Sequence, residues 1–223
     1  DIVINIVVMA LIIIGGIGFI VWDDISKHKW HIKKYMLHTK IVLMMTAVLT
    51  LGGALCFYLF ERNNLLLGMN AKGQILSSLF GSVTTRTAGF NTLDTGAYTE
   101  ATRMLTVILM FIGGNPGSTA GGIKTTTMLV ILLYIWANLR NKRGLNIFGR
   151  RLDEDAIKKA STVFCINLIL ATVCVTIMSA LETLPLSDIM MEVFSAIGTV
   201  GISTGITRDI SMVSKYMLII LMY

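Results

Sequence analysis

Three uncharged apolar stretches, Ile2–Trp22, Ile41–Phe60 and Ala160–Leu181, each run for about twenty residues. At about 1.5 Å per residue, that is the helix length needed to cross a hydrocarbon core roughly 30 Å thick. Hydrophobic residues make up 54% of the chain and charged ones 14%, which leaves no room for a soluble domain of ordinary size. The formal charge of +6 reports topology rather than a nucleic-acid partner. Twelve of the nineteen Lys and Arg fall in two connections, 23–40 and 138–159. By the positive-inside rule both connections are cytoplasmic. The expected fold is an all-α polytopic membrane protein.

Between these spans lie two shorter apolar runs, Ile75–Gly81 and Ile189–Ile197, too short to cross. Each leads into a polar turn: Thr84-Thr85-Arg86-Thr87-Ala88-Gly89-Phe90-Asn91-Thr92, and Thr199-Val200-Gly201-Ile202-Ser203-Thr204. Aligned on Gly89 and Gly201, the turns match in Thr, a small apolar residue, Gly, a large apolar residue, Asn or Ser, and Thr. Polar backbone at membrane depth is tolerated only against protein or a water-filled path. Carbonyls of such a turn can replace the hydration shell of K⁺. The pair therefore predicts two re-entrant pore loops. Their ligands are the carbonyls of Thr87, Ala88, Gly89 and Phe90, and of Thr199, Val200, Gly201 and Ile202, with hydroxyls from Thr87 and Thr199. K⁺ is the only metal ion such a set calls for; no transition-metal set or cofactor is expected. The competing reading is glycine-mediated helix packing. Arg86 is expected to tie the first loop to a carboxylate such as Glu192, with Asn91 as a further support. Asp94 and Glu100 are placed at the outer exit to attract cations, and Glu182 and Asp188 flank the second loop.

Thr102–Asn138 is too long for one span and is interrupted by Gly113-Gly114-Asn115-Pro116-Gly117-Ser118-Thr119-Ala120-Gly121-Gly122-Ile123-Lys124. Glycine costs about 1 and proline about 3 kcal/mol each against alanine in a helix, so the helix breaks here. Gly113, Gly114, Asn115, Gly117, Ser118, Thr119, Gly121, Gly122 and Lys124 form the candidate gate, held by hydrogen bonds from Asn115, Ser118 and Thr119. Lys124 is an ionisable group inside a span and hence a functional candidate. The alternatives for it are snorkelling or a structural ion pair. Gly117–Thr125 also approaches a nucleotide-binding phosphate loop, but Ile123 is one residue too many and no strand precedes it. The chain is not read as an enzyme.

Cys56, Cys165 and Cys174 lie in apolar segments without metal-ligand spacing. His28, His31 and His38 are expected to be solvated or to face headgroups. Neither a basic leader nor a small-residue cleavage site precedes the first apolar stretch, so no signal peptide is assigned there, and the chain reads as a piece of a longer protein. Both loops enter from the outer side between like-oriented spans, so the repeat is parallel. An alternating-access carrier for a small solute, or a Na⁺-coupled secondary transporter, would predict inverted repeats. A non-conducting scaffold would tolerate large side chains at Gly89 and Gly201.

In Thr84–Asn91, Gly113–Thr127 and Ser195–Thr207 the chain resembles the membrane subunit of the Trk/Ktr/HKT superfamily of K⁺ transporters, with the Ktr-type (NtpJ-type) subunit as its nearest likeness. Phe148-Gly149-Arg150-Arg151 is similar to that family's cytoplasmic connection. The resemblance implies helix–pore loop–helix units as in K⁺ channels, four of them in pseudo-fourfold array when complete. This chain then holds the closing helix and linker of a preceding unit (1–39), a third unit with a broken second helix (40–159) and a fourth unit (160–223). It further implies a gate at Gly113–Thr127, a multi-pass subunit in plasma-membrane lipid, a homodimer, and a cytosolic nucleotide-binding regulatory ring. Coupling to Na⁺ or H⁺ stays open.

Overall fold

The computed structural model describes residues 2–29, 31–140 and 154–222, and the backbone of 146–147 and 150–151. The basic residues Lys142 and Arg143, and Phe148 and Gly149 of the cytoplasmic connection, lie outside the described residues. Among the described residues nine α-helices carry the fold: α1 (Ile2–Ile17), α2 (Phe19–His28), α3 (Leu37–Glu61), α4 (Ala71–Thr84), α5 (Glu100–Phe111), α6 (Thr125–Leu139), α7 (Glu154–Leu181), α8 (Leu186–Ile197) and α9 (Met212–Leu221). The only strand pairing among the described residues is a two-residue antiparallel ladder, Asn146–Ile147 with Arg150–Arg151.

Among the described residues, α3 and α7 are each long and apolar enough to cross a membrane alone. The first apolar stretch departs from expectation. Ile2–Trp22 is not one straight span: α1 and α2 meet at 91°. Gly18 sits at the corner with φ 95°, and a methyl there would lie 2.6 Å from the Pro116 carbonyl oxygen. Pro116 and Gly117, of the chain between α5 and α6, pack against that corner.

Helices α4 (14 residues) and α8 (12 residues) reach about 20 Å, part of the way through a bilayer. They are longer than their apolar cores, because polar residues such as Lys72 and Gln74 start the first. Each is held on two sides. Its own unit's long helix packs on one: Gly53 of α3 meets Ser82 of α4, whose hydroxyl donates to the Thr50 carbonyl at 2.9 Å. Likewise, Ala171, Cys174 and Met178 of α7 pack on Ile189 and Val193 of α8. A shorter helix from earlier in the chain packs on the other. Met9 of α1 meets Phe80 and Val83 of α4, and Val107 and Met110 of α5 meet Met191 of α8. The relation α1-to-α4 thus recurs as α5-to-α8, without inversion.

A second repeated device fixes the outer ends. Thr99 caps α5 and Ser211 caps α9, each accepting from the backbone N–H three residues on. A glutamate ending each long helix grips the cap. Glu61 accepts from Thr99 N (2.9 Å) and Oγ1 (3.0 Å), and Glu182 accepts from Ser211 N (2.9 Å) and Ser214 Oγ (2.6 Å). Hydrogen bonds from Ser214 and Ser211 hold the Glu182 carboxyl below its usual range.

The histidines are not all solvated. His28 Nδ1 lies 2.9 Å from Asp24 Oδ1, a buried carboxylate that also accepts from Met36 N, and His38 Nε2 is buried without a partner. Only His31 is fully exposed. His28 and His38 are thus only partly exposed. All three cysteines are free.

Candidate ion pathway

The two glycine turns share one backbone conformation. Thr87 (φ 61°) and Gly89 (φ 73°) match Thr199 (φ 50°) and Gly201 (φ 89°), while Ala88 and Val200 between them keep negative φ. In an extended chain successive carbonyls point to opposite sides. Alternating left-handed and ordinary residues turns them towards one side, the converse of the N–H nests that bind anions. Left-handed glycine is unremarkable, but a β-branched threonine there is a genuine outlier. Such strain, about 1–3 kcal/mol per residue, persists where surroundings over-determine it and clusters at ligand clamps.

The surroundings differ between the turns. In the first, Thr84 Oγ1 donates to the Phe90 carbonyl at 2.5 Å and Ala88 N to Thr84 O at 3.2 Å. In the second, Gly201 N donates to Ser195 Oγ at 3.1 Å and Val200 N to Ser195 O at 2.9 Å. The turns meet at their glycines. A methyl on Gly89 would overlap the Val200 carbonyl oxygen, whereas one on Gly201 would find only Gly89 Cα, 3.9 Å away. Thr95 Oγ1 ties the outer side by donating to Ser203 O at 2.6 Å. Helices α4 and α8 both end at these turns. Their C-terminal carbonyls bring partial negative charge, favourable to a cation.

Arg86 and Glu192 do not pair. Arg86 Nη1 donates to the Thr46 carbonyl of α3 at 3.3 Å, and no carboxylate lies within ion-pair reach of it among the described residues. The buried Glu192 accepts from Ser203 Oγ and from Thr207 Oγ1 (3.1 Å). The two side chains serve different loops, so matching depth did not mean contact. In the position of the second turn that aligns with Arg86 stands Gly198, where a methyl would lie 2.8 Å from Met110 O. Asn91 is exposed, with no side-chain hydrogen bond among the described residues.

Outside the turns, Asp94 Oδ1 caps Gly96 N at 3.0 Å. Asp188 is bound at 2.7 Å by Arg103, which lies 3.5 Å from Glu100 and donates to Gly96 O at 2.6 Å. Arg103 was not among the expected site residues. It joins α5 to the start of α8 and offsets the outer acidic charge.

The break between α5 and α6 is an irregular loop whose ends meet in a single parallel bridge, Ile112 with Ile123. Gly121 abuts the Thr199 side chain and Gly122 lies against Gly198, so the loop sits at the inner end of the second turn. Asn115 is fully buried and donates to Gly16 O (2.7 Å) and Thr46 Oγ1 (3.2 Å); its carbonyl Oδ1 accepts from Thr125 Oγ1. Ser118 Oγ donates to Asn115 O at 2.6 Å. Thr119, expected to help hold the loop, is exposed and makes no hydrogen bond among the described residues. The left-handed turn at Gly117 (φ 72°) folds Ser118 inward and leaves its neighbour outside. Half-buried Lys124 donates to the loop's own Ala120 carbonyl.

A family model described as TrkH, a cation transport protein, matches residues 1–223. The chain belongs to this family. Within the TrkH family it is 43% identical over 97% of its length to the potassium/sodium uptake protein NtpJ of Enterococcus hirae, covering 49% of that protein. It is 38% identical over its whole length to Ktr system potassium uptake protein B of Bacillus subtilis, covering 50% of it. The solved structure of the potassium transporter TrkH from Vibrio parahaemolyticus superposes with a TM-score of 0.80 at 19% identity, over 100% of this chain and 49% of that one. That match establishes the TrkH fold of repeated helix–pore loop–helix units. The chain spans about half the length of the relatives it matches. The family's description is transport, not catalysis.

Glu182 was expected beside the second loop, but the grip of Glu61 and Glu182 on the two helix caps went unread in the sequence. Their signal was available: Thr99 and Ser211, and Thr102 and Ser214, fall in register when the chain is aligned on Gly89 and Gly201.

Proposed function

We propose that the chain supplies two quadrants of a K⁺-selective pathway, with its filter formed by the carbonyls of Thr87–Phe90 and Thr199–Ile202. The observation that carries this reading is the shared left-handed alternation of two turns that abut at Gly89 and Gly201. The names of the relatives, potassium or potassium/sodium uptake proteins, support K⁺ as the cargo and leave Na⁺ as the second ion. The parallel repeat disfavours a carrier with inverted halves.

Gly113–Lys124 serves as the gate, set against the inner end of the second turn. Lys124 adds an electrostatic barrier. At an effective dielectric of about 20, two unit charges 4 Å apart interact by roughly 4 kcal/mol, about a thousandfold in rate before screening. Residues 1–39, 40–159 and 160–223 correspond to a preceding unit's end, a third unit and a fourth. The complete protein is a multi-pass plasma-membrane dimer, controlled through its basic cytoplasmic connections by a nucleotide-binding ring.

The test is K⁺ and Na⁺ uptake by the full-length protein in cells lacking their own K⁺ uptake, with and without Gly201→Ser. Uptake of K⁺ by the unmodified protein and a lower K⁺/Na⁺ ratio in the variant are expected. An unchanged ratio removes the second turn from the filter.

A further inference from the structure

We infer that the corner between α1 and α2 is the seat of the intramembrane loop, that Asn115 and Thr46 are positioning residues holding the loop in it, and that withdrawal of the loop goes with straightening of α1–α2 into one helix. This rests on the loop being the gate.

A helix that breaks leaves carbonyls orphaned before the break and N–H groups orphaned after it. In a continuous helix Gly16 O would take the N–H of Ile20, and Phe19 N would bond to Gly15 O. At the corner, Gly16 O instead accepts from Asn115 N (3.4 Å) and Asn115 Nδ2 (2.7 Å), and Phe19 N donates to Gly117 O at 3.1 Å. The loop therefore supplies partners for both sides of the break. Gly18 fits because it has no side chain to meet Pro116 O.

Asn115 is fully used within this seat. Its two amide hydrogens go to Gly16 and Thr46, its Oδ1 takes Thr125, and its backbone carbonyl takes Ser118 N and Oγ. Thr46 faces two ways. Its hydroxyl accepts from Asn115 and its carbonyl accepts from Arg86, so one residue of α3 touches both the loop and the first glycine turn. Removing the loop would orphan Gly16 O and Phe19 N in a low-dielectric interior. Closing the break satisfies both within the helix itself. The composition of Ile2–His28 meets the requirement for a spanning segment when the two pieces are taken together. A bent helix with the loop seated and a straight helix with it withdrawn are thus the two arrangements that pair both Gly16 O and Phe19 N.

The experiment places spin labels at Ile6→Cys and Lys27→Cys in the full-length protein in a cysteine-free background, and measures their separation alongside K⁺ flux in liposomes. Rise per residue puts these positions about 22 Å apart along a right-angled path and about 32 Å apart along a straight helix. Deleting Asn115–Gly121, or the milder Asn115→Ala, should shift the population from the shorter to the longer distance. A separation that stays near 22 Å in both variants overturns the inference, even if the deletion raises flux and so upholds the gate. Lengthening without a rise in flux upholds the seat and removes the loop as the gate. Should the deletion fail to insert, Gly18→Leu, which excludes the loop sterically and favours the continuous helix, should also lengthen the distance. No change in that variant counts equally against the inference.

Discussion

The two pore loops have one backbone and two sets of supports. Both alternate handedness at Thr and Gly, and both follow a partial helix gripped by a long outer helix. The first loop leans on charge aimed away from the path: Arg86 reaches down to α3. The second leans on charge at the path's outer edge: Glu192 holds Ser203 and Thr207. Where the first has Arg86 the second has Gly198, hemmed in by Met110 O and Phe194 O. Where the second has Glu192 the first has Phe80, buried against Met9. The backbone shape is the same in both turns, whereas the means of bracing it differ.

The largest test of that contrast is at the glycines. Both pay the left-handed cost of a side chain, roughly 1–2 kcal/mol, but only Gly89 faces a backbone oxygen. Gly89→Ala should cut uptake by more than about a hundredfold, and Gly201→Ala by about five- to thirtyfold. The reverse order would mean that the two turns are not packed as described.

Next comes the carboxylate brace. Glu192→Ala leaves two hydroxyls without their acceptor and should lower unfolding stability by about 1–3 kcal/mol. Glu192→Gln keeps an acceptor oxygen and should cost less than half as much. Equal losses in a thermal-unfolding assay would point to charge rather than hydrogen bonding as the brace. Arg86→Ala removes one long bond to a helix carbonyl, and about 0.5–1.5 kcal/mol is expected. If it is instead as damaging as Glu192→Ala, the first loop depends on that charge in a second way.

The smallest effect concerns the outer clamps. Glu182 is partly exposed and its carboxyl is held below the usual glutamate value of about 4.3 by hydrogen bonds from the α9 cap. A lowered folded value stabilises at pH above the ordinary one, and that contribution fades as pH falls through the lowered one. Acid should therefore loosen the α9 cap, read as a falling unfolding midpoint below about pH 4.3, with a flatter profile in Glu182→Gln. Matching profiles in the two proteins would remove Glu182 as the clamp.

What the sequence made legible was whatever depends on length or on glycine. Of the three uncharged runs of about twenty residues, Ile41–Phe60 and Ala160–Leu181 each lie in one long apolar helix. Gly89 and Gly201 mark turns because other residues resist their φ. The corner at Gly18 was hidden, since its cause lies in Asn115–Gly117, almost a hundred positions later. Gly15, Gly16 and Gly18 read equally well as packing residues. The partner of Arg86 was hidden for a related reason. At its depth a carbonyl of α3 and a carboxylate of α8 are both plausible acceptors, and only packing chooses. Thr87 and Thr199 ran against local propensity altogether, since β-branched residues avoid the conformation they adopt here.

Gly89 lies so close to the Val200 carbonyl that neither turn has an outline of its own. For anyone recombining relatives, the helix-to-helix unit is therefore the wrong cassette. The first turn transplanted without the second brings a foreign surface against a carbonyl that leaves room only for hydrogen. Grafts cut midway through each pore helix, which carry both turns and the loop under them as one block, should assemble where single-unit swaps do not.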